Sequence, residues 1–325
     1  MLSSSEWRHA RVIDVAEIAA DVRAVTFAIE GSLPPFDPGS HLSIRVMIDG
    51  LPAVRSYTVI PSSSGTLLIA VKRHPHSRGG SVYIWSLKVG DATEVTVPEN
   101  RFALSWRTSR YLLIAGGIGI TPIYGMARAL AARGQDFRLV YGAHSRAQMA
   151  FADELTALGG ERVALFAKDE GRAIDLKAEI AALPADGELY MCGPLGILDA
   201  AKAAWAEAGR PVSRLRYEVF GDSGRFTEAP FRIEVPALNK VVEVRSDQSM
   251  LEALIQSGVD MIYDCQRGEC GLCAVEVISA DAAIDHRDVF FSPEEKAGNR
   301  RMCACVSRLT GGSAAIDIGY RGAPA

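Results

Sequence analysis

Cys265-Gln-Arg-Gly-Glu-Cys270-Gly-Leu-Cys273 gathers three thiols into one short stretch, and Arg301-Met-Cys-Ala-Cys-Val-Ser-Arg308 adds Cys303 and Cys305. A C-x4-C-x2-C loop followed by a distant cysteine is the spacing that ligates plant-type [2Fe–2S] clusters. Such a cluster needs four thiolates at its corners. One short loop supplies three only if its backbone wraps closely, which is why Gly268 and Gly271 stand where small residues are needed. Structural zinc would call for paired C-x2-4-C arms or histidines, and the stretch has neither. The fourth ligand stays open: 29 residues separate Cys273 from Cys303 and 31 separate it from Cys305. On an alternating strand edge both would point to the same side, so geometry does not choose between them. The surplus thiol reads as a small buried hydrophobe.

Around this loop the chain runs to 325 residues, enough for two or three domains with separate cores. Its 48% apolar and 23% charged residues are ordinary for a soluble globular protein. No apolar run reaches membrane-spanning length, and Met1-Leu-Ser-Ser-Ser-Glu-Trp7 lacks the apolar core of a signal peptide. Cysteines grouped for metal fit a reducing compartment, so the expected location is the cytoplasm. The net charge of −4 is uneven: from residue 233 onward 9 Lys+Arg meet 14 Asp+Glu, giving −5, and the rest carries +1. An acidic cluster domain argues against nucleic acid and suits docking onto a basic protein patch.

Three rhythms divide the chain. Residues 12–15, 24–29, 41–48, 56–60, 67–72 and 94–97 are short β-branched runs broken by Gly, Pro, Asp and Ser, which indicates an antiparallel barrel or sandwich, with one helix from about Ser81. From residue 111 strands (111–115, 137–141, 163–167, 188–191, 215–220) alternate with helices (121–133, 149–158, 175–183, 195–208), the pattern of a parallel, doubly wound sheet. Residues 221–230 read as a linker. A hairpin (231–235, 241–245), a helix ending at Gly258, the cysteine loop and two further strands complete the chain.

In Leu112-Leu-Ile-Ala-Gly116-Gly117-Ile-Gly119-Ile-Thr121-Pro122 a buried strand runs into a glycine turn. Thr121 is expected as N-cap and Pro122 at the first helical position. Free N–H groups and the positive helix end suit a pyrophosphate there, and glycines allow close approach. Glu188-Leu-Tyr-Met-Cys192-Gly193-Pro194 is a second strand ending in a tight turn, so both turns fall at the carboxyl edge, where ligands bind. Cys192 would lie near a bound nicotinamide. In the first segment Arg55-Ser56-Tyr57-Thr58 puts Arg55 and Tyr57 on one side of a strand and Ser56 and Thr58 on the other. Val71-Lys72-Arg73 and Arg78-Gly79-Gly80-Ser81 follow, and a phosphate clamped by Arg55 at the start of the next helix is the functional reading.

Taken in order, Arg-Ser-Tyr-Thr, Gly-Gly-Ile-Gly-Ile-Thr-Pro, Met-Cys-Gly-Pro and C-x4-C-x2-C resemble the ferredoxin–NADP reductase superfamily. The cluster domain at the C-terminus and the Arg-Gly-Gly-Ser turn are similar to phthalate dioxygenase reductase and vanillate O-demethylase reductase. The resemblance spans essentially the whole chain. It implies an antiparallel β-barrel flavin domain (1–105), an α/β nicotinamide domain (106–225) and an α+β, β-grasp ferredoxin domain (231–325). It implies that Arg55, Tyr57 and Thr58 hold the flavin, with Thr58 near its reactive nitrogen, and that Lys72, Arg73, Gly79, Gly80 and Ser81 meet its phosphate. The Arg-Gly-Gly-Ser turn suggests FMN rather than FAD. Glu218-Val-Phe220 resembles the Glu-x-Phe ending of the nicotinamide domain, whose aromatic lies beside the flavin. Counted from His286-Arg287-Asp288 and the Val-Ser-Arg segment, the family pattern favours Cys305 as last ligand.

The implied activity is electron splitting: a hydride passes from NAD(P)H to flavin, and single electrons pass to the cluster and on to a partner, by resemblance the Rieske centre of a terminal oxygenase. A diiron hydroxylase or a cytochrome as acceptor, or a non-enzymatic iron–sulfur sensor, are the competing readings. For the donor, Ser145 and Arg146 stand after the second strand of the sheet, where a cation would read a 2′-phosphate. Related reductases use NADH, so NADH is the expected donor, with measurable NADPH activity.

Overall fold

A computed structural model of the chain describes residues 6–48, 50–62, 65–74, 79–220 and 226–319. Arg78 and residues 221–225 of the expected linker lie outside that set. The chain forms two compact units, 1–218 and 219–325.

The first unit opens with a seven-stranded antiparallel sheet whose path runs Leu51–Thr58, Ser40–Ile48, Ala92–Thr96, Trp7–Ala19, Val22–Ile29, Thr66–Lys72, with Glu99–Asn100 beside Ser40–Ile48. An isolated bridge between Ile60 and Leu68 brings the two ends of that path together. Period-two alternation explains the interior: Leu42, Ile44 and Val46 from one strand meet Val25, Phe27, Leu67 and Ile69 from others, all buried. Each large side chain buried there contributes about 1.5–3 kcal/mol. The helix Gly80–Ser86 packs Ile84 into the same core.

Its second layer is a parallel five-stranded sheet in the order Val163–Ala167, Asp136–Ala143, Arg110–Gly116, Glu188–Cys192, Leu215–Glu218. Residues 111–115 are apolar and fully buried, as a central parallel strand covered on both faces must be. The strand order reverses between Arg110–Gly116 and Glu188–Cys192, which places the switch point, where sheets of this kind bind ligands, at their carboxyl ends. The turns after these two strands flank it.

The second unit is a mixed sheet in the order Lys240–Val244, Phe231–Val235, Ser313–Asp317, Ala274–Ala280, Arg301–Cys303. Only the Phe231–Val235 and Ser313–Asp317 pair is parallel. The helix Met250–Gln256 lies on it, burying Met250, Leu251, Ala253 and Leu254. Ser249 and Glu252 cap that helix reciprocally. The strand Ala274–Ala280 leaves directly from the cysteine loop.

Two expectations need correcting. The helix after the glycine turn begins at Ile120 with Gly119 as N-cap, because a 3-10 turn over Gly117–Gly119 runs straight into it. Thr121 and Pro122 therefore sit inside the first turn, where a missing Pro N–H still costs nothing, and Thr121 Oγ1 donates to the Ile118 carbonyl. Cys303 and Cys305 do not share a strand edge: the strand ends at Cys303, and Cys305 lies in the following turn.

Candidate functional site

In the first unit, sequence-distant residues meet around Thr58. The strand register sets His41 opposite Thr58 and Ser43 opposite Ser56, on one face. There Thr58 Oγ1 lies 3.1 Å from His41 Nε2, and that nitrogen lies 2.7 Å from Glu218 Oε1. All three residues are buried. With Glu218 ionised, the imidazole must carry its hydrogen on Nε2, shared between the carboxylate and Thr58. The Thr58 oxygen then accepts, and its own hydroxyl hydrogen is directed elsewhere. His41 Nδ1 has no partner among the described residues. His41 was missed in the sequence because a lone histidine on a β-strand carries no local signal.

On the opposite face Leu42 pairs with Tyr57 and Ile44 with Arg55. The start of helix Gly80–Ser86 rests on Arg55: a Cβ on Gly80 would stand 2.7 Å from Arg55 Cγ. Gly79 takes a left-handed conformation, φ 79°, to begin that helix. Trp85 Nε1 donates to the Val71 carbonyl at 3.0 Å, and Arg73 lies over the Trp85 ring. Ser81 Oγ accepts from the His74 amide at 3.4 Å. Arg55, Gly79, Gly80 and Ser81 are thereby brought to the helix start, while Val71 and Arg73 meet Trp85 in its last turn. Lys72 differs: its ammonium lies 3.2 Å from Asp21, which also accepts from Gln148 at 2.9 Å.

At the crevice, Gly116 and Gly119 are required by a close approach of the two turns. A Cβ on Gly119 would collide with the Cys192 carbonyl, and one on Gly116 would stand 2.8 Å from Pro194 Cδ. Gly117 instead has φ 53° and open space where a side chain would go. Cys192 is fully buried at the strand end, in register with Ala115 and Glu218. Arg146 Nε pairs with Glu170 Oε1 at 3.2 Å, and the Asp169 amide donates to the His144 carbonyl at 2.9 Å. The acidic partner absent from the turn after the second strand therefore arrives from the turn after the third. Phe220 is partly exposed and falls within the second unit.

In the second unit the thiols form a single site. Cys265, Cys273, Cys303 and Cys305 are buried and Cys270 is half-buried. They fall into contacting sets, Cys265 with Cys270 and Cys273 with Cys305 and Cys303. Hydrogen bonds from Cys303 and Cys305 hold the Cys273 thiol at about 3, while the same bonds push those two thiols up. Gly268 and Gly271 have φ 75° and 73°. A Cβ on Gly268 would meet Asp288 Cα at 2.8 Å, and one on Gly271 would collide with the Phe290 ring. The loop thus wraps as closely as the spacing requires. Asp288 braces it, fully buried, accepting from the Phe291 amide at 3.0 Å and from Ser307 Oγ at 3.1 Å. Burial pushes the Asp288 carboxyl up, but hydrogen bonds from His286, Phe291 and Ser307 and the Lys296 charge outweigh it and hold it below the usual range. Beneath lies Arg308, donating to the carbonyls of Gln248, Ala229 and Arg245. The sequence marks Asp288 only within the His286-Arg287-Asp288 landmark and Arg308 only within the Val-Ser-Arg segment.

A soft, crowded, sulfur-only donor set fits an iron–sulfur cluster. Residues 234–310 match the 2Fe-2S iron-sulfur cluster binding domain, residues 113–203 the oxidoreductase NAD-binding domain and residues 9–104 the oxidoreductase FAD-binding domain. A putative toluene-4-sulfonate monooxygenase system reductase subunit of Comamonas testosteroni is 36% identical over 94% of this chain and 98% of its own. The vanillate O-demethylase oxidoreductase of a Pseudomonas species is 34% identical over 93% and 96%. Among solved structures, phthalate dioxygenase reductase matches with TM-score 0.76 and 30% identity over 96% of this chain and 98% of that one. The chain belongs to the phthalate dioxygenase reductase family. As a member of this reductase family it is an oxidoreductase with flavin, nicotinamide and [2Fe–2S] sites. An intact type IV self-sufficient cytochrome P450 monooxygenase is also similar, with TM-score 0.67 and 33% identity, and this chain covers 95% of itself but 41% of that protein. No helix among the described residues is long and apolar enough to cross a membrane.

Proposed function

We propose that this reductase is the electron-donating component of a multicomponent Rieske-type oxygenase or demethylase, drawing on NADH through FMN and a [2Fe–2S] cluster, in the cytoplasm. The observation that carries the reading is the union in one chain of the buried Thr58–His41–Glu218 contact, beside a nicotinamide-type crevice, with a separate sulfur-only site. When bound, the flavin accepts a hydride and gives up its electrons singly, and the cluster carries one electron at a time.

The chain's residues hold and orient. Arg55, Gly79, Gly80 and Ser81 receive the flavin phosphate, with Val71, Lys72 and Arg73 on the adjoining strand, and Ser56 and Tyr57 line the flavin strand. The choice of FMN rests on the sequence Arg78-Gly79-Gly80-Ser81. Thr58 presents its hydroxyl to the flavin, and His41 and Glu218 fix which way that hydrogen points. Gly116, Gly117, Gly119, Thr121, Pro122, Gly193 and Pro194 shape the dinucleotide crevice. Cys192 closes the end where the nicotinamide stacks, and Phe220 is the aromatic of the Glu-x-Phe ending. Ser145 and Arg146 stand at the far ribose. Glu170 neutralises Arg146, which supports NADH over NADPH, since a 2′-phosphate would have to displace a carboxylate. Cys265, Cys270, Cys273 and Cys305 would supply the four thiolates that hold the cluster. The modules are residues 1–105, 106–225 and 231–325.

Titrating purified protein with NADH anaerobically tests the first half: flavin and cluster should both bleach, whereas an iron–sulfur sensor would show no NADH oxidation. Coupled turnover tests the second half. Product formation with a Rieske oxygenase is expected, and transfer only to a haem or diiron acceptor would refute the Rieske assignment.

A further inference from the structure

Ala20 and Asp21 form the two-residue turn between strands Trp7–Ala19 and Val22–Ile29, in which Ala19 pairs with Val22. Aspartate suits such a turn, and turn chemistry alone asks nothing more of its carboxylate. Here the carboxylate meets a residue 127 positions further on: Gln148 Nε2 donates to Asp21 Oδ2 at 2.9 Å. Beside it the Ala20 amide donates to the Ala147 carbonyl at 2.8 Å. Lys72 Nζ lies 3.2 Å from the same Asp21 oxygen, and the Arg73 amide donates to the Asp21 carbonyl at 2.8 Å. Asp21 thus joins the end of strand Thr66–Lys72 to the 3-10 turn Arg146–Gln148. The residues that follow on each side, Val22 and Met149, are buried in one apolar cluster, so the polar contact borders a dry core. A hydrogen bond to a charged group is stronger in such a place than in water. The far side of the turn is tied as well, by Arg146 to Glu170 and by the Asp169 amide to the His144 carbonyl. Ser145 and Arg146 are therefore held between two anchors.

We propose that Asp21 is a positioning residue for the nicotinamide dinucleotide: from the antiparallel sheet it holds the turn Arg146–Gln148, and with it Ser145 and Arg146, where the adenosine half of the dinucleotide is received. The proposal rests on the reading of Ser145 and Arg146 as neighbours of the far ribose. Asp21 touches neither hydride donor nor flavin ring, so its loss should weaken binding and leave the chemical step alone. The loop would then keep its anchor at Glu170 and lose the one that fixes it to the flavin-binding layer. A loop free to shift pays an ordering cost each time the dinucleotide binds, and that cost appears as weaker affinity.

The test uses the full-length, flavin-loaded protein with ferricyanide as acceptor, so that no oxygenase partner enters. Asp21→Ala should raise KM for NADH about tenfold while kcat stays within about twofold of native, the pattern of lost uniform binding. Asp21→Asn keeps both the turn chemistry and an acceptor for Gln148, and should restore most of the loss. Gln148→Ala removes the contact from the other side and should match Asp21→Ala, and the double variant should be no worse than either alone. Reduced nicotinamide mononucleotide lacks the adenosine half, so its kcat/KM should be the same in native protein and in every variant. An equal loss with NADH and with the mononucleotide, or loss of bound flavin, would make Asp21 a prop of the fold or of the flavin and overturn the proposal. A native KM for NADH in Asp21→Ala overturns it too. Should Asp21→Ala fail to fold, the same two outcomes in Gln148→Ala decide. Native protein that takes no electrons from NADH would instead sink the dinucleotide reading beneath the proposal.

Discussion

The sulfur site of the second unit and the Thr58–His41–Glu218 contact of the first are assembled in opposite ways. Three of the sulfurs come from one loop of consecutive residues, so their spacing is written directly in the chain. The other site draws Thr58 and His41 from neighbouring strands and Glu218 from the end of a different sheet. A site built from one loop depends on local backbone geometry, and a site built from three segments depends on the whole unit folding correctly. The first should fail by losing its occupant, the second by losing rate.

The largest effect should come from the loop. Cys270→Ser is expected to reduce the [2Fe–2S] signal to background while NADH still reduces the flavin at nearly the native rate. If flavin reduction collapsed as well, the two sites would not be separable in this sense. Next comes the assembled site. His41→Ala should slow flavin reduction by NADH about a hundredfold, measured by stopped flow, because Thr58 loses the group that orients its hydrogen. It should also destabilise the first unit by about 1–3 kcal/mol, since buried Glu218 would lose its contact with the imidazole. An unchanged rate in a folded variant would reduce this contact to packing alone. Arg55→Ala removes a charge-assisted phosphate contact worth about 1.5–3 kcal/mol, so flavin affinity should fall about ten- to a hundredfold by equilibrium dialysis, and the released cofactor should be FMN. Chromatography that returned FAD would break the assignment of the Gly79-Gly80 turn. The smallest effect belongs to an exposed pair: Glu170→Gln should raise kcat/KM for NADPH relative to NADH only about three- to fivefold, and Arg146→Ala should cancel the gain. A native enzyme already favouring NADPH would reverse the donor assignment.

The same contrast explains what could be read in advance. Glycines 268 and 271 were legible because positive φ has a residue signature, and the alternating strands and helices of the parallel sheet followed from periodicity. The expected helix over 149–158 begins only at Ala152, because Phe151 takes a left-handed conformation, φ 60°, that apolar periodicity does not encode. The first strand extends over Trp7–Ala19, well beyond the expected 12–15, since register shifts near Val12 and Glu17 disturb the alternation that would have announced it. His41 was invisible for a different reason: its partners Thr58 and Glu218 lie far away in the chain.

One feature of the first unit bears on how such proteins can be recombined. Val22, Ile60 and Ala70 on the antiparallel side lie in the same apolar cluster as Tyr111 of the parallel sheet and Tyr124 and Phe151 of the helices that cover it. Neither layer owns that core. A crossover that exchanged one layer for a distant relative's would pair mismatched halves of a close-packed interior, opening voids or forcing overlap at a cost of about 1–5 kcal/mol per ill-fitting side chain. Residues 1–218 therefore form the smallest piece that can be transplanted whole, and a graft joined near residue 219 spares that core entirely.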